Sequence, residues 1–447
     1  MQCVVFVPGI MGSALYLDDR KVWPPSILEL ILGYGRIEEL MHPDLMATEL
    51  IERVGPVSVY RSMIEDLRRC GYVESGGERR LVVIPYDWRL SNAVTADAVA
   101  DKISEVFDRE NGLDRITLIG HSMGGLVLRY LVDSGRYADA PWFDAVTTLI
   151  TLGTPHAGAP TALDRLRGEE TVMGVAGADI RRLANDRRYP SLYQLVPPSG
   201  TGSIQLSAAR GSVPQIGDAL DPAVIERLEL STDNAAAANE FWEVLHRPTT
   251  AARIARYCVG GVSHRTTVGT VIHGGAVVPV WEDQSGDGTV PITSAILDGF
   301  PHSYSHKKHE KIFTDRGLRF LLYEILDAPA DVRPHAAEGA DDVAADVQAV
   351  GLSVDREVYV PGEPIELTLS YRLQAEDPSE SIDIVRLTET GDDDGLVDSA
   401  GLRFQGMRLN YVTTSLSVDL EPGVYEIRTR RQLDDPEPTR FVVTRAT

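Results

Sequence analysis

Along residues 1–330, short runs of β-branched residues alternate with stretches whose apolar positions recur every three to four residues. The short runs predict strands at Val4–Val7, Leu81–Ile84, Ile116–Ile119, Val146–Leu152 and Arg256–Gly260, and the longer stretches predict helices over Val59–Arg69, Ala93–Glu110, Met123–Asp133 and Thr314–Leu326. Strands followed by helices in this order favour an α/β domain with a mainly parallel sheet. Residues 160–255 break the rhythm. Ala162–Arg167, Ile180–Asn185 and Pro222–Leu230 read as helices inserted between two strands, as in a cap over the sheet edge. Past residue 345 the pattern becomes strand-like at Val347–Val354, Pro364–Leu373, Ser381–Glu389, Asn410–Leu420 and Gly423–Arg430, with turns such as Pro361-Gly362-Glu363 between. That spacing predicts a small antiparallel β-sandwich.

Charge sharpens the division. Residues 1–330 carry 42 acidic and 32 basic side chains, whereas residues 331–447 carry 24 acids, 11 arginines and no lysine. Between them, Pro334-His335-Ala336-Ala337-Glu338-Gly339-Ala340-Asp341-Asp342 resists compaction. The expected plan is a catalytic domain at 1–330 with its cap at about 160–255, a linker at 331–345 and an accessory domain at 346–447. A net charge of −23 argues against nucleic acid or a strongly anionic membrane as a standing partner. Cys3, Cys70 and Cys258 lie far apart, which disfavours both a disulfide framework and a thiolate metal site. No apolar run approaches the roughly 20 residues needed to span a bilayer, and no secretory leader is apparent, so a cytoplasmic location is expected.

The most informative stretch is Gly120-His121-Ser122-Met123-Gly124-Gly125. A β-branched strand enters this G-x-S-x-G and an amphipathic helix leaves it. Such a turn is so tight that side chains at the flanking glycine positions clash with backbone, and it presents the Ser122 hydroxyl at a helix N-terminus. His121 is expected to turn away from that hydroxyl and pack within the elbow. A serine nucleophile needs a base and an orienting acid, which on this scaffold follow in the order Ser, Asp, His. Asp287 lies in the glycine-flanked loop Ser285-Gly286-Asp287-Gly288-Thr289-Val290, with Asp283 as rival. His309, at the entry to the terminal helix, is the chosen base, ahead of His306 and His302. Lys307 and Lys308 are expected to keep it neutral. The spacing of the three histidines also admits a metal site, a lesser reading, because Glu310 is the one carboxylate in that run. The amides of Met123 and of Ile10, in the loop after the first strand, are the candidate oxyanion donors, with that of Met11 next after Ile10. Met11, His121 and Trp23 complete the candidates for substrate contact. Val22–Gly35, the most apolar stretch outside the strands, would dock on a lipid surface, line an acyl channel or pack on the hydrolase core.

In these segments the chain resembles the lecithin:cholesterol acyltransferase-like α/β hydrolases, which include lysosomal phospholipase A2. The matching stretches are Val7-Pro8-Gly9-Ile10-Met11-Gly12-Ser13, Pro85-Tyr86-Asp87-Trp88-Arg89-Leu90-Ser91, the serine elbow, Leu152-Gly153-Thr154-Pro155-His156-Ala157-Gly158, Pro190-Ser191-Leu192-Tyr193-Gln194-Leu195-Val196-Pro197 and Gly286-Asp287-Gly288-Thr289-Val290, in family order. The resemblance implies nucleophile Ser122, acid Asp287 and base His309. It also implies fatty acyl esters as substrates and an acyl-enzyme intermediate passed to water or an alcohol, with no cofactor and no metal. The expected partners are a lipid or other acyl ester and a transient lipid surface. A signal peptide and a disulfide, found in animal members, are not apparent here, and the acidic tail lies outside the family pattern. That tail, which carries no chemical constellation of its own, is the one place where a protein partner is a rival reading.

Overall fold

The computed structural model describes residues 1–207, 215–248, 253–273, 276–329, 332, 350–354, 358–376, 379–403, 408–429 and 438–445. Six parallel strands form the central sheet: β1 (Gln2–Val7), β2 (Arg79–Val83), β3 (Arg115–His121), β4 (Val146–Leu152), β5 (Ala255–Gly261) and β6 (His302–Ser305), in the order β6-β5-β4-β3-β1-β2. Alternate β1 side chains face opposite ways. Val4 and Phe6 pack with Met63, Ile64 and Leu67 of helix Arg61–Arg69 and with Leu318 and Leu322 of helix Arg316–Ile325. Val5 and Val7 pack with Val99 and Ile103 of helix Asn92–Arg109 and with Leu126 and Val127 of helix Met123–Asp133. A sheet covered on both faces explains why its strands read as near-continuous apolar runs.

The chain steps outward from β1 to β2 and then back across β1 to β3. The reversal opens a crevice at the carboxyl ends of β1 and β3, where doubly wound sheets bind ligands. Ser122 follows β3, and the Pro8–Gly12 loop follows β1.

The inserted region holds helices Thr161–Arg167, Gly177–Asn185, Pro222–Arg227 and Thr232–His246. It also holds something the periodicity does not predict. Strand Ile204–Ser207 joins Gln215–Gly217, His264–His273 and Ala276–Gly286 in a second, four-stranded sheet. Gly269 and Pro279 punctuate the two long strands, and turn formers inside a run hide a strand from pattern reading.

The tail forms two sheets. One is Val350–Val354, Ile365–Glu376 and Arg408–Leu416, and the other is Val358–Tyr359, Thr439–Val443, Gly423–Thr429, Ser379–Leu387 and Asp393–Arg403. Leu367, Leu369, Ile382, Ile427 and Phe441 fill the space between them. Part of the five-stranded sheet is buried on its other face too. There Val385, Leu387, Val424 and Val442 join the same apolar core as the hydrolase helices. Arg440 Nη1 donates to the Pro56 carbonyl at 3.1 Å, and the Arg445 amide donates to the Ile31 carbonyl at 2.5 Å. Apart from residue 332, the expected linker 331–345 lies outside the described residues.

The apolar stretch Val22–Gly35 is part of this contact. Ser26 and Glu29 cap helix Ile27–Leu32 reciprocally, Ile27 and Leu30 are buried, and Leu28 and Leu32 are exposed. Among the described residues no helix is long and apolar enough to cross a membrane.

Candidate active site

Ser122 holds the left-handed backbone angles φ 52° and ψ −125° between strand and helix. For a non-glycine residue this conformation is strained, and it persists only where the surroundings enforce it. The surrounding glycines allow it. A Cβ on Gly124 would lie 2.3 Å from the Val7 carbonyl oxygen, and one on Gly120 would lie 2.5 Å from the Gly125 Cα. The Ser122 amide donates to the Leu152 carbonyl at 2.8 Å, which ties the elbow to β4.

His309 Nε2 lies 2.8 Å from Ser122 Oγ, and His309 Nδ1 lies 2.7 Å from Asp287 Oδ2. The other Asp287 oxygen accepts from the Val290 amide at 2.7 Å and the Thr289 amide at 2.9 Å. Asp287 is completely buried and the other two nearly so. Burial pushes the Asp287 carboxyl up, but the His309 charge and hydrogen bond, with the two amides, outweigh it and hold the group below its ordinary value. Burial pushes His309 down, and the adjacent carboxylate outweighs that as well, leaving the imidazole above 6.5. This corrects the expectation for Lys307 and Lys308. The carboxylate at 2.7 Å decides the direction, and the cation that does oppose it is Arg165 on the inserted helix.

His121 turns away from the hydroxyl. The Gly9 amide donates to Tyr60 Oη at 2.9 Å, and Tyr60 Oη lies 2.6 Å from His121 Nδ1. His121 Nε2 lies 2.9 Å from the His309 carbonyl oxygen. Burial, and then the neighbouring His309, lower the His121 pKa to about 3, so its ring is neutral. With one proton on the ring, Tyr60 donates to Nδ1 and Nε2–H donates to the His309 carbonyl. One hydrogen-bonded chain thereby links the loop after β1, the elbow and His309. Tyr60 carries no sequence signal, since its role depends on a partner 61 positions away.

Ser122, His309, His121, Ile10 and Met11 line an apolar cavity of about 210 Å³, whose far wall includes Val172, Met173 and Ile180 from the inserted region. The Ile10 and Met123 amides have no partner among the described residues. Trp23 is a correction. It is fully buried, packs edge-on against Trp88 at 5.3 Å, donates to the Met11 carbonyl at 2.9 Å and does not line the cavity. A large apolar ring gains more from that packing than from a place at a wet mouth. The rival residues lie elsewhere: Asp283 is exposed, His302 lies beside Tyr304, and His306 lies 2.5 Å from Ser263. Among the described residues no group of His, Cys, Asp or Glu is arranged to hold a metal.

Residues 43–208 match the family model of lecithin:cholesterol acyltransferase. Over those residues, a little over a third of its length, the chain is similar to that family. An uncharacterized protein of Saccharomyces cerevisiae is 24% identical over 180 residues, which is 38% of this chain and 25% of that protein. The GPI inositol-deacylase of Schizosaccharomyces pombe is 44% identical over 66 residues, 14% of this chain and 5% of its own. The chain therefore spans a quarter or less of these curated relatives. A chain of the solved Tle4-Tli4 complex is 16% identical with a TM-score of 0.48, covering 73% of this hydrolase and 98% of its own length. Within the hydrolase, the matched span contains Ser122, the Asp87–Arg89 segment and the first inserted helices, whereas Asp287 and His309 lie beyond it. Arg89 is buried in that span, and it forks onto Asp87 at 2.8 and 2.6 Å and onto the Leu40 and His42 carbonyls at 2.6 and 2.9 Å. It is a scaffold pair beside the site.

Proposed function

We propose that this hydrolase cleaves fatty acyl esters through a Ser122 acyl-enzyme. The observation that carries the reading is the unbroken run from Ser122 Oγ through His309 to Asp287, at 2.8 and 2.7 Å, at the foot of an apolar cavity. His309 takes the hydroxyl proton as Oγ attacks the ester carbonyl, and Asp287 stabilises the imidazolium that results. Such general-base help contributes typically about 10² to 10⁴ in rate. The Ile10 and Met123 amides are the donors for the tetrahedral oxyanion. His309 then protonates the leaving alcohol, and the acyl chain stays on Ser122 within the apolar wall. Water completes hydrolysis of a phospholipase A type, and an alcohol entering by the same route completes acyl transfer.

A fluorophosphonate probe tests the nucleophile. The wild-type protein takes one label, and Ser122→Ala takes none. Labelling that survives the substitution would remove Ser122 from this role. Product analysis with and without added alcohols separates hydrolysis from transfer.

A further inference from the structure

Among the described arginines of the inserted region, Arg187, Arg227 and Arg247 form no ion pair, whereas five have an acidic partner: Arg167 with Glu169, Arg181 with Glu229, Arg182 with Glu38, Arg188 with Asp186 and Arg253 with Asp144. Arg165 does not. Among the described residues its guanidinium makes no ion pair and no hydrogen bond, and its Nε is shut off from solvent without a partner. A half-buried guanidinium with no anion beside it gains when a ligand oxyanion completes it.

Arg165 lines the cavity of Ser122 and His309, and it also lines a second cleft of about 370 Å³. Thr289 and Glu310 line both, so the two spaces adjoin at the mouth of the acyl cavity. In the second cleft, the Lys308 ammonium is likewise without a partner among the described residues. Arg265 lies over the Trp281 ring at 4.7 Å, with its nearest carboxylate, Asp283, 4.0 Å away. Three cations therefore gather at one opening of a chain whose net charge is −23. The carboxylates lining the same cleft are Asp287, already engaged by His309 and two amides, Glu310 and Glu366.

We infer that Arg165 and Lys308 form a subsite for an uncompensated phosphate on the alcohol half of the ester, selecting anionic acyl esters over neutral and zwitterionic ones. The inference rests on the acyl-ester reading above. With the acyl chain in the apolar cavity and its carbonyl at Ser122, the leaving alcohol points out through the mouth that the two spaces share. A phosphate there meets two cations that have no protein partner. A phosphocholine group would bring its own cation into the same cleft and gain less.

The test compares three esters of one acyl chain, each kept monomeric: a lysophosphatidate, a lysophosphatidylcholine and a monoacylglycerol. The wild-type protein is expected to favour the lysophosphatidate in kcat/KM by about tenfold or more, the scale of a charge-assisted hydrogen bond. Arg165→Gln and Lys308→Gln each cut that preference about tenfold, mainly through KM, and Arg165→Lys restores part of it. Fluorophosphonate labelling of Ser122 in every variant shows that the site is still built. Inorganic phosphate competes with the monoacylglycerol in the wild type and less in Arg165→Gln. A wild type without the preference overturns the inference, as does an equal proportional loss on all three esters or a preference that survives both substitutions in labelled protein. Competition by inorganic phosphate without preference for the lysophosphatidate means a free-anion site and overturns the assignment to substrate. A wild type that neither takes the probe nor cleaves any of the three esters sinks the acyl-ester reading itself, and the subsite with it.

Discussion

Removing the Tyr60 hydroxyl, in Tyr60→Phe, separates the positioning chain from the reacting groups. The ring stays, with its contacts to Phe6 at 5.5 Å and Phe313 at 5.4 Å, so no cavity opens. Two buried groups lose their partners, the Gly9 amide that donates at 2.9 Å and His121 Nδ1 at 2.6 Å. An unsatisfied buried donor or acceptor costs about 1–3 kcal/mol, so the two together come to about 2–6 kcal/mol. That cost divides between stability and the placement of the Pro8–Gly12 loop, which supplies the Ile10 amide. Displacing a catalytic group by an ångström costs about a hundredfold, so kcat should fall about tenfold to a hundredfold. KM should change little, because the Tyr60 ring, which lines the acyl cavity, stays in place. The pH at which activity appears should hold, because Asp287 sets the His309 proton affinity. The assay is steady-state hydrolysis of a soluble acyl ester across pH, beside a thermal melt. A variant with wild-type kcat and an unchanged melt would refute the reasoning, since neither loop placement nor buried hydrogen bonding would then depend on that hydroxyl.

The raised pKa of His309 gives a pH prediction: kcat/KM should climb as pH rises through a value above 6.5, and Asp287→Asn should move that limb down while lowering kcat about a hundredfold or more. Linkage runs in matching directions. The His309 share of stability is present below 6.5 and is lost as pH rises through its raised value, while the Asp287 share is lost as pH falls through its lowered one, which urea midpoints across pH would measure. Gly124→Ala drives a methyl to 2.3 Å from the Val7 carbonyl oxygen, and a melt should show a loss of about 1–3 kcal/mol or failure to fold; a stable, fully labelled variant contradicts the elbow geometry. Arg89→Ala leaves Asp87 without its fork and should cost about 3–5 kcal/mol by denaturant titration; a loss under about 1 kcal/mol would mean that the pair is not structural.

The sheet and the three side chains that converge at Ser122 were legible because each leaves a local trace. The strand–elbow–helix around Ser122 is contiguous, and Val146–Leu152 and Met123–Asp133 appear with the bounds read from the pattern. Asp287 and His309 could be named because a glycine-framed acid and a histidine before a terminal helix follow in the order that the scaffold needs. What stayed hidden depends on contacts distant in sequence. Tyr60 acts through a residue 61 positions on. The second sheet pairs Ile204 with Thr270 across the inserted helices. The sign of the His309 shift was misread because Lys308 is near in sequence whereas Asp287 is near in space. Trp23 was misplaced because apolarity does not distinguish a pocket wall from a core.

The tail shows the same limit. Its alternation announces a sandwich, and a sandwich needs one apolar face per sheet. In Gly423–Thr429, however, Tyr425 and Ile427 face the inner core while Val424 faces the hydrolase, and in Thr439–Val443 the same split holds for Phe441 and Val443 against Val442. Where strands are apolar on both faces a second layer must cover them, and here the catalytic part of the chain does so. The covered region includes helix Ile27–Leu32, so Ile31 and Pro56 meet the tail rather than a lipid surface. Pro364 and Glu366 of the tail also help to line the cleft beside Arg165. The tail therefore takes part in the hydrolase as a wall and a brace, while its strand Asp393–Arg403 stays exposed to solvent.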